Sequence, residues 1–421
     1  MQGGVASRLR HTFRALRHRG FRVFWVGQWV SVNGTWMQTT AQAWLLYRLT
    51  DSPLMLGLLS AARFGPALVG APVAGVMTDR FPRRLLVLLT QTASLVQATL
   101  LAALTLSGTV RVWHILVLAF LQGIVDTLDM PARQTLQVDI VGIEDLQSAV
   151  SLNSSAFNAA RMLGPALAGV LVAAYGEGVC FAVNAASYLA VLVALLLIRT
   201  QPAAHAPAGS LRSELAEGLR YAWGDPQVRV ILGGVAVTSA FGLSYMTLLP
   251  VFARDVLGAG APGYGVLLAS AGLGAVFGAL GAAARSGTRG TLLFMATGQG
   301  MLGAGLVALA VTRHLAPATA WLGLVGLGVA MQLSTTNGFL QTTAPDHLRG
   351  RAVSLYIWLF SGLSPIGGLV AGWAAEHVGA PWTAAGAGVA CVISALLVGF
   401  GMRKSGRALP VSSGGAGGRR L

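Results

Sequence analysis

The sequence predicts an all-α integral membrane protein whose twelve transmembrane helices form two six-helix bundles. Three observations carry that expectation. Apolar runs recur along the whole chain, each near the 20 or so residues of helix that cross a hydrocarbon core of about 30 Å. Only 10% of the 421 residues are charged while 54% are hydrophobic, whereas a soluble domain carries about 25% charged residues. The second half of the chain also repeats the first.

In the first half the runs fall at about 21–49, 53–78, 85–106, 112–130, 148–175 and 178–199. In the second they fall at about 228–253, 262–284, 291–312, 317–340, 352–376 and 380–401. None alternates in polarity with a period of two, so a β-barrel is excluded. The first run is too long and too polar for a cleaved signal peptide, so it is expected to stay as a spanning helix. Between the halves, 200–227 reads as a linker. It opens on Gln201-Pro202-Ala203-Ala204-His205-Ala206-Pro207 and ends in a helical pattern with Leu211, Leu215 and Leu219 on one face. The bundles are thus expected at 1–199 and 228–402, with a disordered Gly- and Ser-rich tail at 403–421.

The basic residues orient the chain. With Arg63 and Arg161 set aside as intramembrane, the predicted turns place 23 of them on one side and only Arg48, Arg111, Arg254 and Arg313 on the other. The positive-inside rule then puts both termini in the cytoplasm. The net charge of +15 is accordingly topology information and a lipid-facing surface, and a nucleic-acid partner is not expected. Two cysteines, Cys180 and Cys391, lie inside apolar runs and offer neither a disulfide framework nor a metal site.

The repeat is read at an offset of 203 residues. Ala149-Val150-Ser151-Leu152 recurs as Ala352-Val353-Ser354-Leu355, and Gly164, Ala168-Gly169 and Gly176 recur as Gly367, Ala371-Gly372 and Gly379. Helix five therefore corresponds to helix eleven. Two parallel repeats joined by a linker suit two bundles rocking about a midplane cavity.

Between helices two and three lies Gly75-Val76-Met77-Thr78-Asp79-Arg80-Phe81-Pro82-Arg83-Arg84. The pattern resembles the G-x-x-x-D-R-x-x-R-R signature of the major facilitator superfamily. In helix five, Gly164-Pro165-Ala166-Leu167-Ala168-Gly169 resembles the core of that superfamily's antiporter signature. Taken over nearly the whole chain, the resemblance is to its drug and siderophore exporters of the enterobactin-exporter type, with Asn33-Gly34-Thr35-Trp36-Met37 and the Pro345–Arg351 turn in support. It implies a cytoplasmic latch in which Asp79 faces the N-terminus of helix eleven, with Gly75 allowing close approach. Arg80 completes the motif, and Arg83 or Arg84 would engage Asp126 or Asp129. Many proton-coupled exporters of the superfamily have an arginine where this chain has Ala119, so the usual arginine-assisted proton step lacks its arginine here.

Charges inside the bilayer cost about 2.5–3.5 kcal/mol each at helix centre and need a reason. Arg63 and Arg161 are expected to face the interior, where each could bind an anionic substrate group or pair with a carboxylate. With helix four ending near 130, Asp126 and Asp129 lie close to the cytoplasm, about 14 Å from the level of Arg161 at 1.5 Å per residue. They serve either the latch or proton carriage. Helix one is polar for a spanning segment, and its Asn33, Gln38 and Gln42 are expected to line the cavity, since amides facing lipid would go unsatisfied. Tyr245, Gln332 and Asn337 are further candidates for that lining.

No phosphate loop, metal-spaced histidines or nucleophile elbow appears, so an enzyme, a metal and an organic cofactor are not expected. The reading is a monomeric secondary transporter of a bacterial inner membrane that exports small amphipathic molecules, with the proton gradient as its energy source. Lysophospholipid or other solute carriage, and a non-transporting membrane receptor, are the alternatives.

Overall fold

The computed structural model describes residues 13–198, 220, 223–285, 290–345 and 348–405, with backbone alone at 71, 72, 79 and 400–405. Most of the expected linker at 200–227, the tail beyond 405 and the Asp79 side chain lie outside the described residues.

The first half holds α1 (Arg19–Thr50), α2 (Pro53–Arg80), α3 (Arg83–Leu106) and α6 (Glu177–Leu197). Between α3 and α6 a single run, Val112–Tyr175, divides at Gly142 (φ 72°) into α4 (112–141) and α5 (143–175). The second half holds α7 (Pro226–Val256), α8 (Gly260–Ala284), α9 (Thr291–Val311), α10 (Leu315–Thr343), α11 (Arg349–Val378) and α12 (Ala380–Ser405). Ten stretches are long and apolar enough to cross a membrane. The α4–α5 run counts once among them although it crosses twice, and the polar α1 is not among them. Twelve membrane helices result, in two bundles of six.

Local chemistry starts and stops these helices. Ser52 caps α2 by accepting from the Met55 amide, with Pro53 in the first turn; Asp225 does the same for α7 with Pro226. Helix α4 corrects the sequence reading, for it continues eleven residues past the expected end at 130. Pro131 removes one ladder bond, yet the helix is kept and the Thr135 hydroxyl donates to the Pro131 carbonyl at 2.9 Å. The charges that made 129–145 look like a loop are paired in place, Asp129 with Arg133 and Asp139 with Arg83. Asp126 consequently sits near mid-helix and not at the end.

The helices alternate direction, so one end of the molecule gathers Arg19, Arg80, Arg83, Arg285 and Arg349, and the other gathers the α1–α2, α3–α4, α5–α6, α7–α8, α9–α10 and α11–α12 turns. Arg48, Arg111, Arg254 and Arg313 all lie at this second, far end.

The repeat is visible in the packing. Gly164 in α5 lies where a Cβ would come within 2.6 Å of Trp36 and 3.0 Å of the Asn33 carbonyl in α1, and Gly367 in α11 lies against the Ala240 carbonyl in α7. Gly176 and Gly379 take φ of 81° and 88° at the matching turns. The two bundles meet along two seams built alike. A Cβ on Gly169 (α5) would stand 2.9 Å from the Ala261 carbonyl of α8, and one on Gly265 (α8) 2.5 Å from the Pro165 carbonyl. Likewise Gly372 (α11) faces the Pro53 carbonyl of α2 at 2.6 Å and Gly57 (α2) the Gly368 carbonyl at 2.8 Å. Small residues let backbones approach this closely where lipid gives no hydrophobic drive.

Candidate functional site

Both seams seal the far half only. The α5–α8 seam runs to Gly272, whose Cβ would lie 3.2 Å from the Arg161 carbonyl, and the α2–α11 seam runs to Gly362 against Leu68. Toward the arginine-rich end, Gly75 and Gly350 have no neighbour among the described residues within 4 Å of a Cβ. The close approach expected at Gly75 is not made with any described residue.

Polar contacts between bundles add to the far-end closure. The Tyr47 hydroxyl of α1 donates to Asp255 of α7, Arg254 pairs with Asp51, and the Arg254 guanidinium lies 5.0 Å over the Tyr47 ring. Glu376 near the end of α11 accepts from the Ser52 hydroxyl at 2.9 Å and from the Leu54 amide at 3.2 Å. It thus places a carboxylate on the N-terminus of α2, where the helix dipole favours an anion.

Several amides expected in the cavity are instead inside the bundles. Gln38 (2% exposed) donates to Gln97 of α3 at 3.0 Å and accepts from Asn184 of α6 at 2.7 Å. Gln42 donates to the Ile115 carbonyl of α4. In the second half Gln332 accepts from Thr238 at 2.6 Å, and Gln299 bridges Gly234 and Ser394. Amides shielded from water satisfy each other across helices, and this removes Gln38, Gln42 and Gln332 from the cavity lining. Asn33 and Asn337 are half-buried and bond within their own helices, to the Trp29 carbonyl and Gln341.

The intramembrane arginines differ. Arg63 in α2 pairs with Asp126 of α4 at 2.8 Å, and Asp126 also accepts from Gln122 at 2.9 Å. The Asp126 side chain is 44% exposed while Arg63 covers it at 12%. Asp129 is 2% exposed, accepts from Thr90 and Gln91 through Oδ1 and pairs with Arg133. Arg161 has no carboxylate partner among the described residues. It lies within electrostatic reach of Tyr245 in α7, whose buried hydroxyl makes no hydrogen bond of normal geometry.

The latch residues also need correction. Arg83 engages Asp139 at 2.6 Å, not Asp126 or Asp129, because α4 extends to bring Asp139 opposite it. Arg84 donates to the Leu195 carbonyl of α6 at 2.9 Å, and Arg80 is exposed at the end of α2.

One feature of the site is absent from the sequence reading. Gln147, Ser151, Ser154, Asn158 and Arg161 follow at intervals of four and three along α5, forming one polar stripe of exposed or half-buried residues. A spanning helix does not turn such a stripe to lipid, so it lines the space between the bundles. Phe157, edge-on to Trp36 at 5.7 Å, borders it. The signal was available as 3,4-spaced polar residues.

Two bundles of six, joined at one end by glycine seams and polar contacts and carrying a polar stripe on a spanning helix, define a membrane transporter. Residues 10–409 match the family of transmembrane secretion effectors, and the chain belongs to that family within the major facilitator superfamily. It is 28% identical over 357 residues to the multidrug efflux pump Tap of Mycolicibacterium fortuitum, covering 82% of this chain and 87% of that one. It is 26% identical over 349 residues to the enterobactin exporter EntS of Shigella boydii, covering 80% and 81%. Among solved structures, a bacterial homologue of the human lysosomal transporter Spinster, inward-facing and unoccupied, superposes with a TM-score of 0.70 at 16% identity, over 94% of this chain and 99% of that one.

Proposed function

We propose that this chain is a proton-driven exporter of small amphipathic molecules, working by alternating access with both termini in the cytoplasm of a bacterial inner membrane. The observation that carries this reading is the asymmetry of closure. Two glycine seams and the Glu376, Asp51 and Asp255 contacts hold the far end shut, while the α5 stripe is exposed toward the arginine-rich end. That is the arrangement of a carrier loading from the side that the positive-inside rule assigns to the cytoplasm. The relatives that export drugs and a siderophore favour outward transport of a related class of molecule.

For the energy source, Asp126 supports antiport. It is an accessible carboxylate at mid-membrane, and an ionisable group there needs a function. Arg63 pairs with it at 2.8 Å, a partner that the transport cycle would have to release. The antiporter-like Gly164-Pro165-Gly169 helix fits the same reading, with Gly169 and Pro165 in the α5–α8 seam. The Asp79 latch of the arginine-rich end would then close when the far end opens. The test is accumulation of a dye by inverted vesicles under an imposed proton gradient. A protonophore abolishes it on this reading; accumulation of a broad dye panel that is indifferent to the gradient refutes the coupling.

A further inference from the structure

We propose that Arg161 and Tyr245 form a binding subsite for the acidic group of an amphipathic organic anion, at the apex of the path between the bundles. The inference rests on the transport reading only for its purpose, since the subsite itself is a matter of binding.

Arg63 and Arg161 both stand deep in the membrane, and the chain solves the cost of each differently. Arg63 is neutralised by Asp126 at 2.8 Å, so an anionic ligand would have to compete with a resident carboxylate. Arg161 has no such resident among the described residues. An uncompensated cation at this depth is retained only where water or a ligand answers it. The surroundings are built for a ligand. The α5 stripe from Gln147 through Ser151, Ser154 and Asn158 leads to Arg161 and stops there. Immediately beyond, the path is blocked, because Gly272 of α8 packs on the backbone of Arg161 and Met162. Arg161 is therefore the last polar group an entering molecule meets.

Tyr245 closes the site from the other bundle. It is 2% exposed, and its hydroxyl reaches the Arg161 guanidinium without a hydrogen bond of normal geometry, so a buried donor there has room for a better partner. A carboxylate, sulfonate or phosphate would accept from that hydroxyl and from the guanidinium together, and such charge-assisted contacts are the strong ones. The half-buried Trp36 and exposed Phe157, with Phe241 of α7 43% exposed, offer apolar area for the rest of the molecule. An anion held by both bundles also couples occupancy to their relative position.

The experiment uses the full chain in lipid nanodiscs and two xanthene dyes of similar size and opposite charge, fluorescein and rhodamine 123, read by fluorescence anisotropy. Wild type is expected to bind fluorescein, with Arg161→Gln weakening it at least tenfold and leaving rhodamine 123 within twofold. Arg161→Lys should recover part of the loss, and Tyr245→Phe should cost fluorescein severalfold. Equal effects of Arg161→Gln on both dyes, or no fluorescein binding by wild type, overturn the subsite. Thermal unfolding of each variant separates a folding defect from a binding one; if Arg161→Gln does not fold, the Lys and Phe variants decide. Flux in vesicles then stands apart. Charge-selective binding without flux leaves the subsite standing and removes the transport reading. Flux indifferent to Arg161 for both dyes does the reverse.

Discussion

Substitution of Gly265 by alanine is expected to open the far end. The added Cβ would stand 2.5 Å from the Pro165 carbonyl and 3.0 Å from the Cα of Gly169, whereas ordinary contact begins at 3.4 Å. Both neighbours are backbone of α5, so no side chain can rotate away and the seam must widen by about 0.9 Å, the difference between those two distances. Overpacking of this kind costs about 1–3 kcal/mol. The penalty falls on the closed far end alone, because the contact exists only there. A bias of that size changes the ratio of two states by about 5- to 150-fold. Thr40, 3% exposed beside Gly169, Ala261 and Tyr264 just inside the seam, gives the readout. A Thr40→Cys variant of the purified protein should react with a hydrophilic thiol reagent slowly, and 5- to 150-fold faster when Gly265→Ala is added. The background is low, since Cys180 and Cys391 are fully buried. Gly338→Ala, where a Cβ meets nothing within 4 Å, is the control and should leave the rate unchanged. An unchanged rate in Gly265→Ala would show that the seam does not hold the closed state.

Four further outcomes are expected. Asp126→Asn should abolish accumulation driven by a proton gradient while keeping exchange of labelled for unlabelled substrate; loss of both would make Asp126 a structural or substrate residue. Glu376→Gln keeps an acceptor for the Leu54 amide but removes the charge at the α2 N-terminus, which is worth about 0.3–1 kcal/mol. Thiol labelling at Thr40→Cys should then rise up to about fivefold, and a fall would contradict the far-end role. Gln38→Leu leaves the Gln97 Oε1 and the Asn184 Nδ2 without a partner and should destabilise the protein by about 1–3 kcal/mol per unpaired group, read as a lowered Tm with unaltered dye selectivity. Asp79→Asn should slow transport by weakening the latch at the arginine-rich end, and unimpaired transport would count against that latch.

The architecture was legible in the sequence because hydrocarbon thickness imposes a length on every helix and glycines in register reveal a duplication. Gly164, Gly169 and Gly176 recur as Gly367, Gly372 and Gly379, and the same pairs make matching contacts in space. What the pattern could not supply is rotation about each helix axis. Gln38 and Gln42 share a face, as one turn of spacing requires, but that face points to α3, α4 and α6 and not to the path. Neutral amides satisfy one another inside a bundle as well as they line a cavity, so composition does not separate the two. The partner of Arg83 was misplaced for a different reason. The apolar run stops near 130, but paired charges allow the helix to continue past Pro131 to Gly142 and carry Asp139 to Arg83. The far-end acids Asp51, Asp255 and Glu376 gave no signal, since each is a single residue whose meaning comes only from the opposite bundle.

The two seams are copies in their glycines but not in their clasps. Glu376 pins the α2–α11 seam, and the residue at the matching place in α5, 203 positions earlier, is Ala173. One edge of the door carries a bolt and the other is a plain bearing. Rocking would then be lopsided, with the α5–α8 edge yielding first and the α2–α11 edge setting the pace. Distances measured across the two edges during opening should separate in time, and simultaneous parting would mean that the clasp carries no kinetic weight.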